Sequence, residues 1–362
     1  MIYKLPEKIS KWDLYNKVLP ELTEQYKHIK KGDTTAVSLV QTEQINSNAV
    51  TLFAGMLNLL QNKSQNPVYL EFAYNPRFLG FLESIDFLRQ LQAKGIVEYE
   101  YDYTADLKTD MYSKNNKLYS FQPCKYFEDK LIEEKKEFRD NLAQNMLFWL
   151  KSTPFFKKET TPIKGDQMWE TTLGAVAELI DNAILHSGSI SYLYMQSGIK
   201  FEDNKKGYLI SVADVGKGYY GALSEKIEKQ PEEECILYTQ SSREQFYRYA
   251  HSLGIDIEKE INFLSIMEAL YYSQIQDREI DLYKLKNSLA ISNANFRIHQ
   301  RNKEIVFTSK QCGGCNNRED ILNCLQCIWN RKDTSETSLK TYPIEMAGVH
   351  IEIEFIQEKK NV

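Results

Sequence analysis

Residues 178–186, Glu-Leu-Ile-Asp-Asn-Ala-Ile-Leu-His, decide how this chain folds. Apolar residues recur at helical spacing between positions 173 and 185, which predicts an amphipathic helix. Glu178, Asp181, Asn182 and His186 are spaced so that they can share one face of that helix as a polar row. A helix that packs against a core seldom carries such a row unless it lines a cleft, so this face is the first candidate for a site.

A second stretch, Asp214-Val-Gly216-Lys-Gly218, follows a strand that is predicted from alternating apolar and polar residues over 208–213. Asp214 then stands at the end of the strand, and the two glycines allow backbone to approach a ligand closely. A helix that bears Glu and Asn beside such a strand end suits a purine nucleotide and its metal. The alternative is a capped amphipathic helix followed by an ordinary Asp-Gly turn.

Each side chain has a chemical reason to be in such a site. A carboxylate such as Asp214 can accept a hydrogen bond from an exocyclic amine, which distinguishes adenine from guanine. Asn182 offers a neutral oxygen ligand to Mg²⁺, which usually bridges phosphate oxygens and keeps several waters. Glu178, one helical turn earlier, can orient or deprotonate the water that attacks the terminal phosphate.

The two stretches resemble the signatures of the GHKL superfamily, the Bergerat-fold ATPases that include gyrase, MutL and histidine kinases. The matching residues are Glu178, Asp181, Asn182, His186, Asp214, Gly216 and Gly218. The resemblance implies an α/β sandwich that binds ATP and Mg²⁺, with Glu178 as general base, Asn182 as the Mg²⁺ ligand and Asp214 as the adenine reader. Residues 347–355 resemble the closing strand of the family, with Val349 where threonine is common.

The third signature of the family departs from the pattern. Many GHKL proteins carry Gly-x-Gly-Leu before a helix, where bare backbone amides wrap the phosphates. The best counterpart here is 278–283, in which Glu279 and Asp281 replace the two glycines. Two carboxylates would repel a triphosphate, although they could also cap the following helix, at 285–291, or bind a metal. A nucleotide module that does not hydrolyse ATP is therefore the rival to an ATPase.

Two Cys-x-x-Cys pairs predict a metal centre. Cys312 and Cys315 precede Cys324 and Cys327 closely enough for four thiolates to hold one tetrahedral Zn²⁺. Disulfides, reduced core thiols and an iron–sulfur cluster are the alternatives. We expect a closed structural zinc knuckle over about 308–332, which interrupts the nucleotide domain between two strands and projects from the rim of its sheet.

The pattern of the remaining sequence predicts that the chain has three units. Alternating strands and helices over about 30–105 indicate a small α/β domain, assigned to 1–115, whose layout weakly resembles the STAS domain. A charged amphipathic helix follows within a connecting segment, 116–160. The nucleotide domain takes 161–362, and the stretch between its second and third signatures, about 219–277, is mostly helical in pattern and includes the lid that the resemblance implies.

Composition favours a cytoplasmic protein. The chain has 362 residues, 42% of them hydrophobic, and shows neither a membrane-spanning apolar run nor a secretory leader. A reduced tetrathiolate site fits the cytosol. The net charge of −5 argues against general nucleic-acid binding, although the knuckle region is locally basic. We expect ATP and an unidentified protein as partners, with a homodimer and nucleic acid left open and no membrane.

Two function classes follow. As an enzyme, the chain would hydrolyse ATP or phosphorylate a partner in bacterial signalling or defence. No phospho-acceptor histidine helix precedes the nucleotide domain, which argues against a histidine kinase that phosphorylates itself. As an interaction module, it would bind nucleotide to hold one of two conformations for a partner. A DNA-directed machine similar to MutL or gyrase is the outlying alternative, supported only by the zinc knuckle.

Overall fold

The chain adopts a mixed α/β architecture with two main sheets. The computed structural model describes residues 2–100, 114–121, 132–153, 165–182, 187–200, 206–229, 237–276, 281–291, 294–308, 320–335 and 337–357. Several sequence predictions fall outside these ranges, namely His186, Glu279, Cys312 and Cys315. Within the described part, no helix is both long and apolar enough to cross a membrane.

The first sheet is parallel and belongs to the N-terminal domain. Its strands lie in the order β1, β3, β5, β6. The elements of this domain are β1 (Ile2–Lys4), β2 (Lys8–Ile9), α1 (Lys11–Asp13), a π-helical turn (Leu14–Val18), α2 (Leu19–Tyr26), β3 (Ala36–Ser38), β4 (Gln44–Ile45), a 3₁₀ turn (Ser47–Ala49), α3 (Val50–Ser64), β5 (Val68–Glu71), α4 (Pro76–Ser84), α5 (Phe87–Ala93) and β6 (Val97–Tyr99). Sequence neighbours are sheet neighbours, so the parallel strands need the helical crossovers between them.

The strands and helices expected over about 30–105 form part of this sheet and its crossovers, and β1 joins them by pairing with β3. The apolar spacing over 78–92 is typical of a single helix, but the structure has two helices there, α4 and α5, separated at Ile85 and Asp86. Asp86 has a φ of 58°, a left-handed conformation that aspartate tolerates better than most residues and that ends a helix.

The second sheet is antiparallel throughout, in the order β10, β11, β9, β8, β7. Its strands are β7 (Asn116–Phe121), β8 (Ser191–Lys200), β9 (Lys206–Asp214), β10 (Ala294–Phe307) and β11 (Leu339–Gln357). The helices of this part are α6 (Ile132–Ser152), α7 (Gly165–Asp181), α8 (Gly218–Lys229), α9 (Gln240–Ser252), α10 (Ile261–Gln276), α11 (Leu282–Ile291) and α12 (Ile321–Asn330). The mostly helical pattern expected over 219–277 is confirmed.

Two strands differ from the sequence assignment. Residues 116–121, assigned to the connecting segment, form the edge strand β7, which pairs with β8. The separate strands expected around Phe296 and at 304–307 are one strand, β10, whose register with β11 shifts next to Arg301. Arg301 has a φ of 53°, so the irregularity is absorbed at a residue that sequence does not mark as a turn.

One face of the five-stranded sheet, here called the helix-covered face, packs against the helices. Side chains such as Ile210, Phe296 and Ile353 are fully buried there, together with Val176 of α7 and Phe263 of α10. This core places α7 beside the end of β9, because the apolar face of α7 can be buried only against the sheet.

The helix α12 contradicts our expectation that the cysteine-rich insertion projects from the rim. Ile321, Leu325 and Ile328 are buried in the main core, and Trp329 stacks on Phe263 with ring centroids 6.1 Å apart. The physical reason is the strong amphipathicity of this helix, whose apolar face is large enough to be drawn into the core.

The opposite face, here called the domain-covered face, is buried by the N-terminal domain. Tyr192, Tyr194 and Leu209 share a core with Phe53 and other residues of α3. The hydroxyls of Thr51 and Ser211 lie 2.7 Å apart within this contact. The two parts of the chain are therefore joined through the sheet itself.

Candidate functional site

Helix α7 presents the first two predicted residues together. Its buried side includes Val176, Leu179 and Ile180, which leaves Glu178 and Asn182 half-buried on another face. The side-chain nitrogen of Asn182 donates to the carboxylate of Glu178 at 2.8 Å and to its carbonyl at 2.9 Å. The helical spacing thus produces a coupled amide and carboxylate pair, as expected for residues four apart.

Asp181 does not join that pair. Its carboxylate binds the guanidinium of Arg139 at 2.9 Å, and Arg139 also contacts Asp140. Arg139 lies on α6, so the ion pair ties α7 to the preceding long helix. Asp181 is not among the residues that line the pocket described below.

Asp214 lies at the end of β9, as predicted, and is only 7% exposed. Burial raises the pKa of its carboxyl to about 7, although backbone N–H groups of Gly216 and Val349 donate to it and act in the opposite direction. The Gly216 contact measures 2.8 Å. Sequence places Val349 far from this residue, and the antiparallel pairing of β9 with β11 brings the two together.

Two glycines allow the backbone to close around Asp214. A Cβ atom on Gly216 would lie 1.8 Å from the carbonyl oxygen of Ser187, and one on Gly348 would lie 2.1 Å from the carbonyl oxygen of Asp214. Gly348 also has a φ of 86°, which disfavours any other residue. Both positions therefore require glycine for close approach rather than for flexibility.

These elements enclose a small pocket, here called the Asp214 pocket. It is lined by Asn182, Ser187, Val212, Asp214, Gly218, Tyr219, Ala222, Val349 and Ile351. Four of the predicted site residues belong to the pocket or its immediate wall: Asn182, Asp214 and Gly218 line it, and Glu178 is hydrogen-bonded to Asn182. Its volume is about 30 Å³, which is space for about one water molecule.

Tyr219 is a further wall residue of this pocket, and sequence reasoning missed it. Its hydroxyl is buried and has no hydrogen-bond partner among the described residues. Burial, with the carboxylates of Glu178 and Asp214 nearby, raises the pKa of this hydroxyl well above its ordinary value. Its backbone N–H donates to the side chain of Gln300 at 2.7 Å. The signal available in the sequence was a bulky aromatic residue directly after the last glycine of the second motif.

Asp281, from the degenerate third motif, caps a helix. Its carboxylate accepts from the backbone N–H of Lys284 at 2.7 Å, and its carbonyl accepts from Leu285, at the start of α11. Asp281 is buried and does not line the Asp214 pocket. The capping alternative considered from sequence is therefore the role that this carboxylate has in the structure.

The cysteines are only partly described. Cys324 and Cys327 lie one turn apart on α12; Cys324 is buried, and Cys327 is disulfide-bonded. Within the described ranges no group of three or more His, Cys, Asp or Glu side chains could hold a metal ion. A cysteine held in a disulfide does not act as a thiolate ligand, so Cys327 fits the disulfide alternative. Cys312 and Cys315 lie outside the described ranges, and the zinc knuckle stays a prediction.

Comparison with known proteins adds no relative: no family model, no curated protein and no solved structure matches this chain.

Proposed function

We propose that this chain binds ATP with Mg²⁺ in the Asp214 pocket, as GHKL proteins do. One observation carries the proposal: Asp214 is a buried carboxylate, held by the backbone N–H of Gly216, in the same pocket as Asn182, which is hydrogen-bonded to Glu178. A buried acid without a neighbouring cation is costly to a fold, and such groups concentrate at functional sites.

The hydrogen bonding of Asn182 supports its role as the metal ligand. Both of the acceptors on Glu178 are oxygens, so the amide nitrogen of Asn182 must face Glu178. These two bonds use the amide nitrogen of Asn182 and not its amide oxygen. An oxygen is the atom that Mg²⁺ requires, and a bound Mg²⁺ would supply charge neutralisation to the phosphates.

In this proposal Glu178 activates water. Its carboxylate is held by Asn182, so a metal on Asn182 and a water on Glu178 would lie close to each other. A carboxylate in this position can orient the attacking water or accept its proton.

Nucleotide binding requires the pocket to open. Ligand sites usually measure roughly 300–1,000 Å³, whereas the Asp214 pocket encloses about 30 Å³. Tyr219 lines this space and follows Gly218, whose φ of 69° marks the start of α8. We propose that nucleotide binds a conformation in which the Tyr219 ring has moved aside, and that it shifts the population toward that conformation.

The binding proposal is tested by titrating the protein with ATP and GTP in the presence of Mg²⁺ and measuring heat. We expect saturable ATP binding, preference for ATP over GTP, and at least about tenfold weaker ATP binding in Asp214→Asn, since a charged acceptor is lost. Glu244→Asn, a change at an exposed carboxylate on α9, is the matched control. Absence of ATP binding at millimolar concentration would overturn the proposal.

The hydrolysis proposal is tested separately. Glu178→Gln should lower ATP turnover by about 100-fold to 10,000-fold while leaving ATP affinity within a few-fold, and Glu244→Gln should leave turnover unchanged. Equal turnover in wild type and Glu178→Gln would reject hydrolysis by this residue and leave ATP binding intact.

A second candidate is a nucleotide-binding signalling module that does not hydrolyse ATP. The observation that favours it is Asp281, which caps α11 where the family has a phosphate-wrapping glycine. The N-terminal domain, packed on the domain-covered face, would then transmit the nucleotide state to a partner. Saturable ATP binding without turnover above background is the result that selects this candidate.

A further inference from the structure

A second, larger cleft lies away from the Asp214 pocket. It has a volume of about 880 Å³ and is bounded on one side by the N-terminal domain and on the other by the domain-covered face, through residues such as Gln196 and Leu209. This volume is within the usual range for small-molecule sites. We refer to it as the interdomain cleft.

The cleft lies at the carboxyl ends of the parallel strands, where loops often form ligand sites. The connections that follow the carboxyl ends of β3 and β5 contribute Asn46, Ser47, Asn75 and Arg77 to its wall. In α/β sheets, ligands bind in the crevice at the carboxyl ends of the strands, because the loops and the following helix N-termini converge there.

Two helical segments begin at this wall. The 3₁₀ turn at 47–49 runs directly into α3, and the side chain of Asn46 does not cap it. Helix α4 begins at Pro76, with Asn75 accepting from the N–H of Phe78 at 3.1 Å. Uncapped N–H groups and the positive end of the helix dipole make such termini favourable to anions.

The charges in the wall point the same way. Lys8 and Arg77 are exposed and have no ion-pair partner in the part of the chain that the structure describes. Glu354 also lines the cleft, but Arg297 binds it at 2.8 Å and neutralises it. Glu43 is the remaining carboxylate of the lining, so two cations outweigh one carboxylate.

Unused polar atoms inside the cleft mark it as more than a surface groove. The side-chain oxygen of Asn48 is buried and has no hydrogen-bond partner among the described residues. Gln196 accepts from Ser47 through its side-chain oxygen, and the hydroxyl of Tyr194 donates to Asn116 at 2.6 Å. Unpaired buried polar atoms are costly in a folded protein, and each one needs an explanation.

The remaining wall is apolar. Phe81 and Ile199 line the cleft beside the polar groups. We propose that the interdomain cleft binds a phosphate-bearing small molecule, with its phosphate on Arg77, Lys8 and the two helix N-termini and its organic part against Phe81 and Ile199.

The proposal is tested with inorganic pyrophosphate as probe, in EDTA so that no Mg²⁺ supports binding in the Asp214 pocket. Titration calorimetry on the full chain should give saturable binding that weakens with added salt. Arg77→Glu should weaken it by at least tenfold, because a charge-assisted contact becomes a repulsion. Arg89→Glu, on an exposed arginine of α5 in the same domain, is the matched control and should bind like wild type.

Three outcomes would overturn the proposal. The first is no saturable binding of pyrophosphate at millimolar concentration. The second is equal affinity in Arg77→Glu and Arg89→Glu. The third is loss of binding in Asn182→Ala with none in Arg77→Glu, which would place the probe in the Asp214 pocket. Since the cleft does not depend on ATP binding, failure of the ATP titration would leave this result unaffected.

Discussion

The two faces of the five-stranded sheet differ in the kind of side chain that β10 and β11 bury on them. On the helix-covered face, β10 and β11 contribute apolar side chains such as Phe296, Ile353 and Phe355. On the domain-covered face, the same strands contribute Arg297, Glu304 and other charged residues, and the N-terminal domain still covers them. On these two strands the first face is therefore held by apolar contact and the second by charge pairing, while β8 and β9 add apolar contacts to the second face.

The charged face is organised around Lys11, from helix α1. Its ammonium contacts Glu304 and lies 3.1 Å from Glu352, and all three side chains are buried. Arg297 lies 3.6 Å from Glu352. We call these four residues the buried ion cluster. Buried charges are tolerated only when they are paired, so the cluster specifies where the N-terminal domain sits.

Protonation follows from this pairing. Burial alone would raise the pKa of Glu304, but Lys11 outweighs it and holds that pKa at about 2. Burial tends to lower the pKa of Lys11, and the two glutamates raise it more. Glu352 keeps a raised pKa because its burial outweighs both Lys11 and Arg297. Lys11 is in closest contact with Glu304, and both glutamates raise the pKa of Lys11.

Substitution of Lys11 should give the largest change in stability and tests the comparison of the two faces most strongly. Lys11→Ala leaves two carboxylates buried without their cation, and we expect the free energy of unfolding to fall by about 3–5 kcal/mol. Urea denaturation measures it. Lys17→Ala, at an exposed lysine paired with Asp13, should cost less than about 0.5 kcal/mol. Similar losses in both variants would mean that the cluster does not hold the domain.

On the helix-covered face, the matching change is Phe355→Ala. The ring stacks on Tyr208 with centroids 4.5 Å apart and is fully buried. Its removal should lower the free energy of unfolding by about 3–5 kcal/mol through lost contacts and a cavity. The loss should be the same at pH 3 and pH 7, whereas the loss for Lys11→Ala should shrink at low pH, where Glu304 begins to be protonated. Parallel pH dependence in the two variants would remove the distinction between the faces.

Asp214 and Glu304 should respond to pH with opposite signs. The pKa of Asp214 rises from 3.8 to about 7 on folding, so the folded chain binds this proton more tightly and its contribution to stability falls as pH rises from about 4 to 7. Glu304 contributes stability that is present above pH 4.5 and is lost as pH falls toward 2.

The variant Asp214→Asn isolates the contribution of Asp214 to the pH dependence of stability. The variant should gain stability over wild type as pH rises, reaching at most about 4 kcal/mol above pH 7, from roughly three pKa units. Thermal or urea unfolding across pH 4–8 measures the difference. A constant difference across this range would show that Asp214 is not buried as an acid. Asp13→Asn, near the surface, provides a control.

The smallest expected effect concerns the helices themselves. Arg139→Ala breaks the ion pair with Asp181, whose side chain is 23% exposed. We expect a loss of about 1 kcal/mol, between that of a surface pair and that of the buried ion cluster. A loss as large as that of Lys11→Ala would mean that charge pairing holds the helix-covered face as well.

Local patterns predicted much of this architecture. The helical spacing around Glu178 and Asn182 and the alternation before Asp214 were enough to place those side chains, because period and turn chemistry are local. The pairing of Asp181 with Arg139, and the burial of Lys11, depend on residues that meet only through the tertiary fold. No short-range signal marks them.

Other errors have equally specific causes. The π-helical turn at 14–18, the left-handed Asp86 and the bulge at Arg301 lack the glycine that usually announces such features. Polar alternation in β10 and β11 is typical of a solvent-exposed face, and only the N-terminal domain reveals that this face is covered. The motif before Tyr219 marks its two glycines as site residues and does not mark the tyrosine that follows them.

Strand β11 completes the Asp214 pocket late in the synthesis of each molecule. It supplies Val349 and Ile351 to the pocket and His350 and Glu352 to the opposite face, and it lies between β9 and β10 in the sheet. During synthesis, β9 and its aspartate leave the ribosome long before this strand does. Until it inserts, Asp214 lacks part of its backbone cradle and the sheet is split in two. We therefore expect the complete Asp214 pocket to form only near the end of translation.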